Sequence, residues 1–135
     1  VGFHRHNSEI EQMIKKYSKQ KFTFSFTPHL SPMFRGILST IYVDMKKGVT
    51  INNLSNELSK FYKKSFFVNV QKLNTLISTN DVINTNNCKI SVCKSKYKNK
   101  AIILSTIDNL IKGGAGQAIQ NMNILYNFND KEGLR

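Results

Sequence analysis

The stretch Arg35-Gly36-Ile37-Leu38-Ser39-Thr40-Ile41-Tyr42-Val43-Asp44-Met45 decides the fold. Its β-branched and aromatic residues alternate with period two, so Ile37, Ile41, Val43 and Met45 share one face, and Ser39 and Thr40 interrupt any helical stripe. It reads as a strand. Gly48 ends it, and Thr50 caps a helix in which Ile51, Leu54, Leu58 and Phe61 form a single stripe.

Towards the C-terminus, Phe66 to Val70 reads as a short strand, and Thr79 to Asn87 as a polar, asparagine-rich loop. Lys89 to Lys94 and Ala101 to Ser105 read as the arms of a hairpin joined by the basic turn Ser95 to Lys100. A final helix is expected from about Asn109 to Tyr126, with Asp108 as its cap and Ile111, Ala115, Ala118, Met122 and Leu125 as its apolar stripe. Towards the N-terminus, Phe22-Thr23-Phe24-Ser25-Phe26-Thr27 alternates as a half-buried strand stopped by Pro28 and Pro32. Ahead of it, Ile10, Met13, Ile14 and Tyr17 mark a helix from Ser8 to Ser18. Ser8 and Glu11 there have capping-box spacing, and Asn7 is an alternative cap. The order helix, two strands, helix, three strands, helix implies an α+β domain, with a mixed or antiparallel sheet and its helices on one face.

The 135 residues suit one domain with a true core. No apolar run reaches membrane-spanning length, and no signal peptide is evident. Cys88 and Cys93, five apart on a strand, point to opposite faces and fit neither a redox pair nor a zinc knuckle. Free thiols in a reducing compartment, hence a cytoplasmic protein, are expected. The chain opens on valine, directly at a histidine motif, as a fragment of a longer protein would.

The net charge of +12 invites a reading as a basic nucleic-acid-binding module. The lysines argue for solvated faces instead. They cluster at helix ends and turns (Lys15, Lys16, Lys46, Lys47, Lys60, Lys63, and Lys94 to Lys100), where dipoles and water favour them.

Three stretches could carry chemistry. In an extended backbone, His4 and His6 face the same way and could line one pocket wall. The helix that starts just after them favours a neutral imidazole able to accept a proton. His29 and Arg35 flank the proline-framed loop, where the arginine could grip a carboxylate or phosphate and Gly36 allows close backbone approach. The run from Asp108 to Ala118 places Gly113, Gly114 and Gly116 at a helix start, spaced for neither a phosphate loop nor a dinucleotide fingerprint. Read from the residues, it is a tightly packed helix. No metal constellation, paired-carboxylate arrangement or Gly-x-Ser-x-Gly elbow stands out.

Taken in order, these stretches resemble the N-acetyl-gamma-glutamyl-phosphate reductases, relatives of aspartate-semialdehyde dehydrogenase. The resemblance runs from His4-Arg5-His6-Asn7-Ser8-Glu9-Ile10 through Phe26-Thr27-Pro28-His29-Leu30 and Arg35-Gly36-Ile37-Leu38-Ser39-Thr40. It closes with Asp108-Asn109-Leu110, Lys112-Gly113, Gly116-Gln117-Ala118 and Gln120-Asn121-Met122-Asn123. It implies a catalytic domain like the C-terminal domain of glyceraldehyde-3-phosphate dehydrogenase over residues 1–108, incomplete at its N-terminus. It further implies a terminal helix and tail, 109–135, that pack on a Rossmann domain outside this chain. The activity implied is NADP-dependent reduction of N-acetyl-L-glutamyl 5-phosphate to the 5-semialdehyde and phosphate in arginine biosynthesis, through a cysteine thioester. By the same resemblance His6 is the acid/base, and His4, His29 and Arg35 are substrate contacts. Asn109, Gly113 and Gly114 lie beside the cofactor, and a homo-oligomer is expected. The family's Asn-Pro-Gly-Cys nucleophile stretch is absent from this chain, and Gly113-Gly114 stands where Gly-Ala is usual.

Overall fold

A computed structural model describes residues 4–18 and 20–135. The chain divides into two compact units, Val1–Met33 and Phe34–Arg135.

In the first unit, α1 (His6–Tyr17) starts two residues before the expected point. Arg5 occupies the cap position without a side-chain cap bond, and the Ser8 hydroxyl, instead of capping, donates to the Arg5 carbonyl at 3.0 Å. A hydroxyl already inside the first turn finds a free helical carbonyl behind it, not an open N–H ahead. The expected apolar stripe is present but thinly covered: Ile10 and Ile14 are half-buried, and Tyr17 is 76% exposed. Residues 22–27, read as a strand, form no ladder among the described residues. Phe22 and Phe26 are half-buried but Phe24 is exposed, and a strand needs a partner to satisfy its backbone groups.

The second unit is built on a four-stranded mixed sheet in the order β1-β4-β3-β2. The strands are β1 (Ile37–Asp44), β2 (Val68–Val70), β3 (Cys88–Lys94) and β4 (Lys100–Ile107). β3 and β4 form the expected antiparallel hairpin, β1 pairs antiparallel with β4, and β2 lies parallel to β3. Flanked on both sides by other strands, β3 supplies much of the core: Ile90, Val92 and Cys93 are buried, with Ala101, Phe67, Ile77 and Val82 around them. At the edge, β1 keeps both faces open. Ile37 and Ile41 on one face, Leu38 and Tyr42 on the other, are all exposed, so the face expected to be its inner one is partly covered, at Ser39, Val43 and Met45.

The second helix, α2 (Ile51–Phe61), starts where Thr50 places it. The Thr50 side chain accepts from Asn53 N–H at 3.2 Å, and the Asn53 side chain accepts from Thr50 N–H at 2.9 Å. This reciprocal box fixes the entry of α2, which packs on β2 and β3.

The terminal helix differs from expectation. Asp108 accepts from the N–H groups of Leu110 and Ile111 as a cap should, but a π-type turn, Ile111–Ala115, intervenes before α3 (Gly116–Leu125) begins. Gly114, at φ −148° and ψ −115°, breaks the helical path. The stripe is inverted as well. Gly116 and Asn123 are the buried residues of α3, whereas Ala118, Ile119, Met122 and Leu125 are exposed. Periodicity shows that apolar residues share a face, not what covers it.

Candidate functional site

The three histidines belong to the first unit, and Arg35, Asn109, Gly113 and Gly114 to the second.

His4 and His6 do come together, by a different backbone from the extended one expected. Asn7 N–H donates to the His4 carbonyl at 2.9 Å, closing a turn that leads into α1. Within it the His6 N–H donates to His4 Nδ1 at 3.2 Å, which places the His4 proton on Nε2. The two rings meet edge to face at 4.7 Å between centroids, and Phe26 stands 5.6 Å from His4. His6 Nε2 lies 4.0 Å from Glu9 Oε2 one turn on, with both side chains substantially exposed. A shallow depression lined by His4, Arg5, Asn7 and Ser8 adjoins the rings. This turn can exchange a proton at His6 Nε2 with a group that approaches from outside, Glu9 being the neighbouring carboxylate. His29 is exposed, its Nδ1 3.1 Å from the Thr27 carbonyl.

In the second unit the polar centre is Asp108, fully buried at the end of β4. Its Oδ1 accepts from Leu110 and Ile111 N–H at 2.8 and 3.0 Å. Its Oδ2 accepts from Asn84 N–H at 2.8 Å and pairs with Arg35 Nε at 2.8 Å. Burial pushes the carboxyl up. The Asn84 and Leu110 amides, Arg35 and the Ile111 amide outweigh it and hold the group below its ordinary 3.8. Arg35 also donates from Nη1 to Asn84 Oδ1 at 3.0 Å, so two of its nitrogens are committed within the protein. Asn84 itself has a left-handed backbone, φ 63°, which asparagine tolerates.

Arg35 and Asn109 are brought together through the glycine between the arginine and β1. Gly36 N–H donates to Asn109 Oδ1 at 2.7 Å. Gly36 has φ +109°, and a Cβ there would lie 2.6 Å from Thr79 Cβ, so the approach requires glycine. Gly113 and Gly114 are exposed, and a Cβ on either would meet only ordinary contacts, at 3.4 Å or more. The glycine that packs tightly is Gly116. A Cβ there would meet Asn86 Oδ1 at 2.5 Å and Ile111 Cγ2 at 2.6 Å.

Around Gly116, Asn86 and Lys112 both donate to Gln120 Oε1, at 3.0 and 2.8 Å, and Lys112 Nζ stands 5.7 Å from the centre of the Phe67 ring. Partial burial lowers the Lys112 pKa, opposed by the nearby Cys88 thiol. Cys88 and Cys93 are free, the first half-buried and the second buried. Among the described residues no group of three or more His, Cys, Asp or Glu side chains could hold a metal ion, and no helix is long and apolar enough to cross a membrane.

From the sequence Asp108 is legible only as a cap, and Asn84 and Asn86 are not legible as part of the site. An aspartate two and three residues before backbone N–H groups signals capping. Nothing local signals that its second oxygen reaches Arg35.

Residues 1–109 match the family model described as semialdehyde dehydrogenase, dimerisation domain. Among curated proteins the chain is similar to an N-acetyl-gamma-glutamyl-phosphate reductase of Clostridium botulinum (strain Alaska E43 / Type E3), 47% identical over 99% of this chain and 39% of the relative. Enzymes of the same name from Thermoanaerobacter pseudethanolicus and Staphylococcus aureus are 43% and 42% identical, again over 39% of their length. The chain thus spans about 39% of the length of the curated relatives it matches. With a family model covering most of its residues, the chain belongs to the semialdehyde dehydrogenase dimerisation-domain family.

Proposed function

We propose that this chain is the C-terminal portion of an NADP-dependent N-acetyl-gamma-glutamyl-phosphate reductase. That enzyme would reduce N-acetyl-L-glutamyl 5-phosphate to the 5-semialdehyde with release of phosphate, a cytoplasmic step of arginine biosynthesis. One observation carries the reading: 47% identity to an enzyme of that name over 99% of the chain. The basic nucleic-acid module has no support beyond charge, which does not specify function.

In this reading a cysteine outside the chain attacks the acyl phosphate, phosphate leaves, and a thioester forms. Cys88 and Cys93 are strand residues of the sheet and do not take that role. His6 holds the proton removed from the thiol at Nε2 and returns it as the aldehyde forms. His4, its Nδ1 occupied by the His6 N–H, offers Nε2–H to substrate oxygens, and His29 on the proline-framed loop is a further candidate contact. Arg35 has its remaining amino group for the substrate's anionic end. Bound NADPH supplies the hydride. The exposed backbone at Gly113 and Gly114 and the half-buried Asn109 fit close approach by a flat ring. Its pyrophosphate would rest on the Rossmann domain, which α3 would cover with Ile119, Met122 and Leu125, all exposed in this unit. A homo-oligomer through the dimerisation domain completes the reading.

The test joins this chain to an N-terminal NADP domain that supplies the cysteine, and follows phosphate- and NADP-dependent oxidation of the semialdehyde. His6→Ala is expected to abolish most turnover. Wild-type rates in that variant would remove the acid/base role, and an inactive joined protein would remove the assignment.

A further inference from the structure

The buried carboxylate of Asp108 is oddly placed for a helix cap. A cap needs one side-chain oxygen, and Oδ1 already serves Leu110 and Ile111. The second oxygen reaches out of the turn to Asn84 N–H and to Arg35, residues of two other segments. The Asp108 carbonyl also accepts from Gly113 N–H at 2.9 Å, so both ends of the turn that carries Asn109 are tied to one residue.

Asn109 sits inside this frame. Its Oδ1 receives Gly36 N–H at 2.7 Å, and Gly36 follows directly on Arg35, which Asp108 grips. Asp108 therefore fixes the backbone of Asn109 and the donor that orients its amide. An amide whose oxygen is taken in this way cannot flip without losing the bond, and it keeps its Nδ2 protons as its offer to a ligand.

We propose that Asp108 is a positioning residue on the cofactor side of the site. It holds Gly36 and the turn after β4 in register, so that Asn109 presents Nδ2–H, and only that group, to a hydrogen-bond acceptor on the nicotinamide end of the dinucleotide. The proposal rests on the reductase reading given above. Arg35 acts in it mainly through Asp108, whatever its free amino group touches.

The experiment uses the joined reductase and reads KM for NADPH and for the acyl phosphate separately, with circular dichroism as the check on folding. Asp108→Asn keeps the shape but places an NH2 group against N–H donors. It is expected to raise KM for NADPH by about tenfold or more, because a small misplacement of a positioned group is costly. KM for the acyl phosphate, which Asp108 reaches only through Arg35, should rise by a smaller factor than KM for NADPH. Asn109→Ala should give a similar rise. The double variant should be no worse than Asn109→Ala alone, since a residue that acts through another adds nothing once that partner is gone. Should Asp108→Asn fail to fold, Arg35→Lys leaves the three backbone donors in place. It is expected to raise KM for NADPH by a smaller factor, abolished in the Asn109→Ala background.

Effects that multiply in the double variants, or an NADPH KM unmoved by Asp108→Asn and Arg35→Lys, overturn the proposal while leaving the reductase reading intact. A wild-type protein with no NADPH-dependent turnover removes both.

Discussion

The corner around Asp108 and the turn around His4 and His6 hold their polar groups in opposite ways. Asp108 is 0% exposed, accepts from three backbone N–H groups and pairs with the Arg35 guanidinium. His6 has a side chain 47% exposed and a carboxylate no closer than 4.0 Å. One group has given up all its bonding capacity to the protein, and the other keeps its ring nitrogens for a visitor. Removal of the first side chain should appear chiefly as lost stability, and removal of the second as lost turnover in a protein that still folds.

The largest test of that contrast is His6→Ala in the joined reductase. Loss of a general acid/base is expected to cut turnover by about 10²- to 10⁴-fold with the melting temperature nearly unchanged. A comparable drop in melting temperature would mean that the histidine turn is structural. Next, Asp108→Ala strands Arg35 without its buried partner and should cost about 3–5 kcal/mol in a urea titration. A cost under about 1 kcal/mol, the range of exposed ion pairs, would show that solvent reaches the pair freely.

Gly116→Ala comes third. A methyl group forced between Asn86 Oδ1 and Ile111 should cost about 1–3 kcal/mol, and Gly113→Ala at its open position should disturb packing less. Equal effects would erase the distinction between the tight and open glycines.

The smallest effect is that of acid. The Asp108 carboxyl is held below its ordinary range when folded, so its contribution is complete above the unfolded value, about 3.9. It is lost as pH falls through the lower folded value. Asp108→Asn should therefore flatten the fall in stability below about pH 4 and leave the slope at neutral pH unchanged. An identical acid limb in both proteins would mean that other carboxylates dominate it.

Much of the fold could be read from local chemistry. β1, the hairpin arms and α2 each carry two agreeing signals, a period and a punctuating residue, and the Thr50–Asn53 box closes as its spacing implies. Residues 22–27 carry only the period, and no ladder forms on them. The α3 stripe likewise records a shared face while leaving its cover unspecified, and the interruption before it depends on the backbone angles of Gly114. The histidine pair was legible because residues two apart can meet in a turn as well as in a strand. The Arg35–Asp108–Asn84 corner was not, because it joins segments distant in sequence and no spacing rule spans them.

The sheet order places β4, the centre of the antiparallel pairing, between its hairpin neighbour β3 and a strand from far upstream. Refolding kinetics should follow that wiring. The hairpin closes over a short turn, whereas joining Ile37 to Ile107 must first confine the long intervening chain. Substitutions in β3 and β4 are then expected to slow refolding, and those in β1 to act chiefly on the unfolding rate.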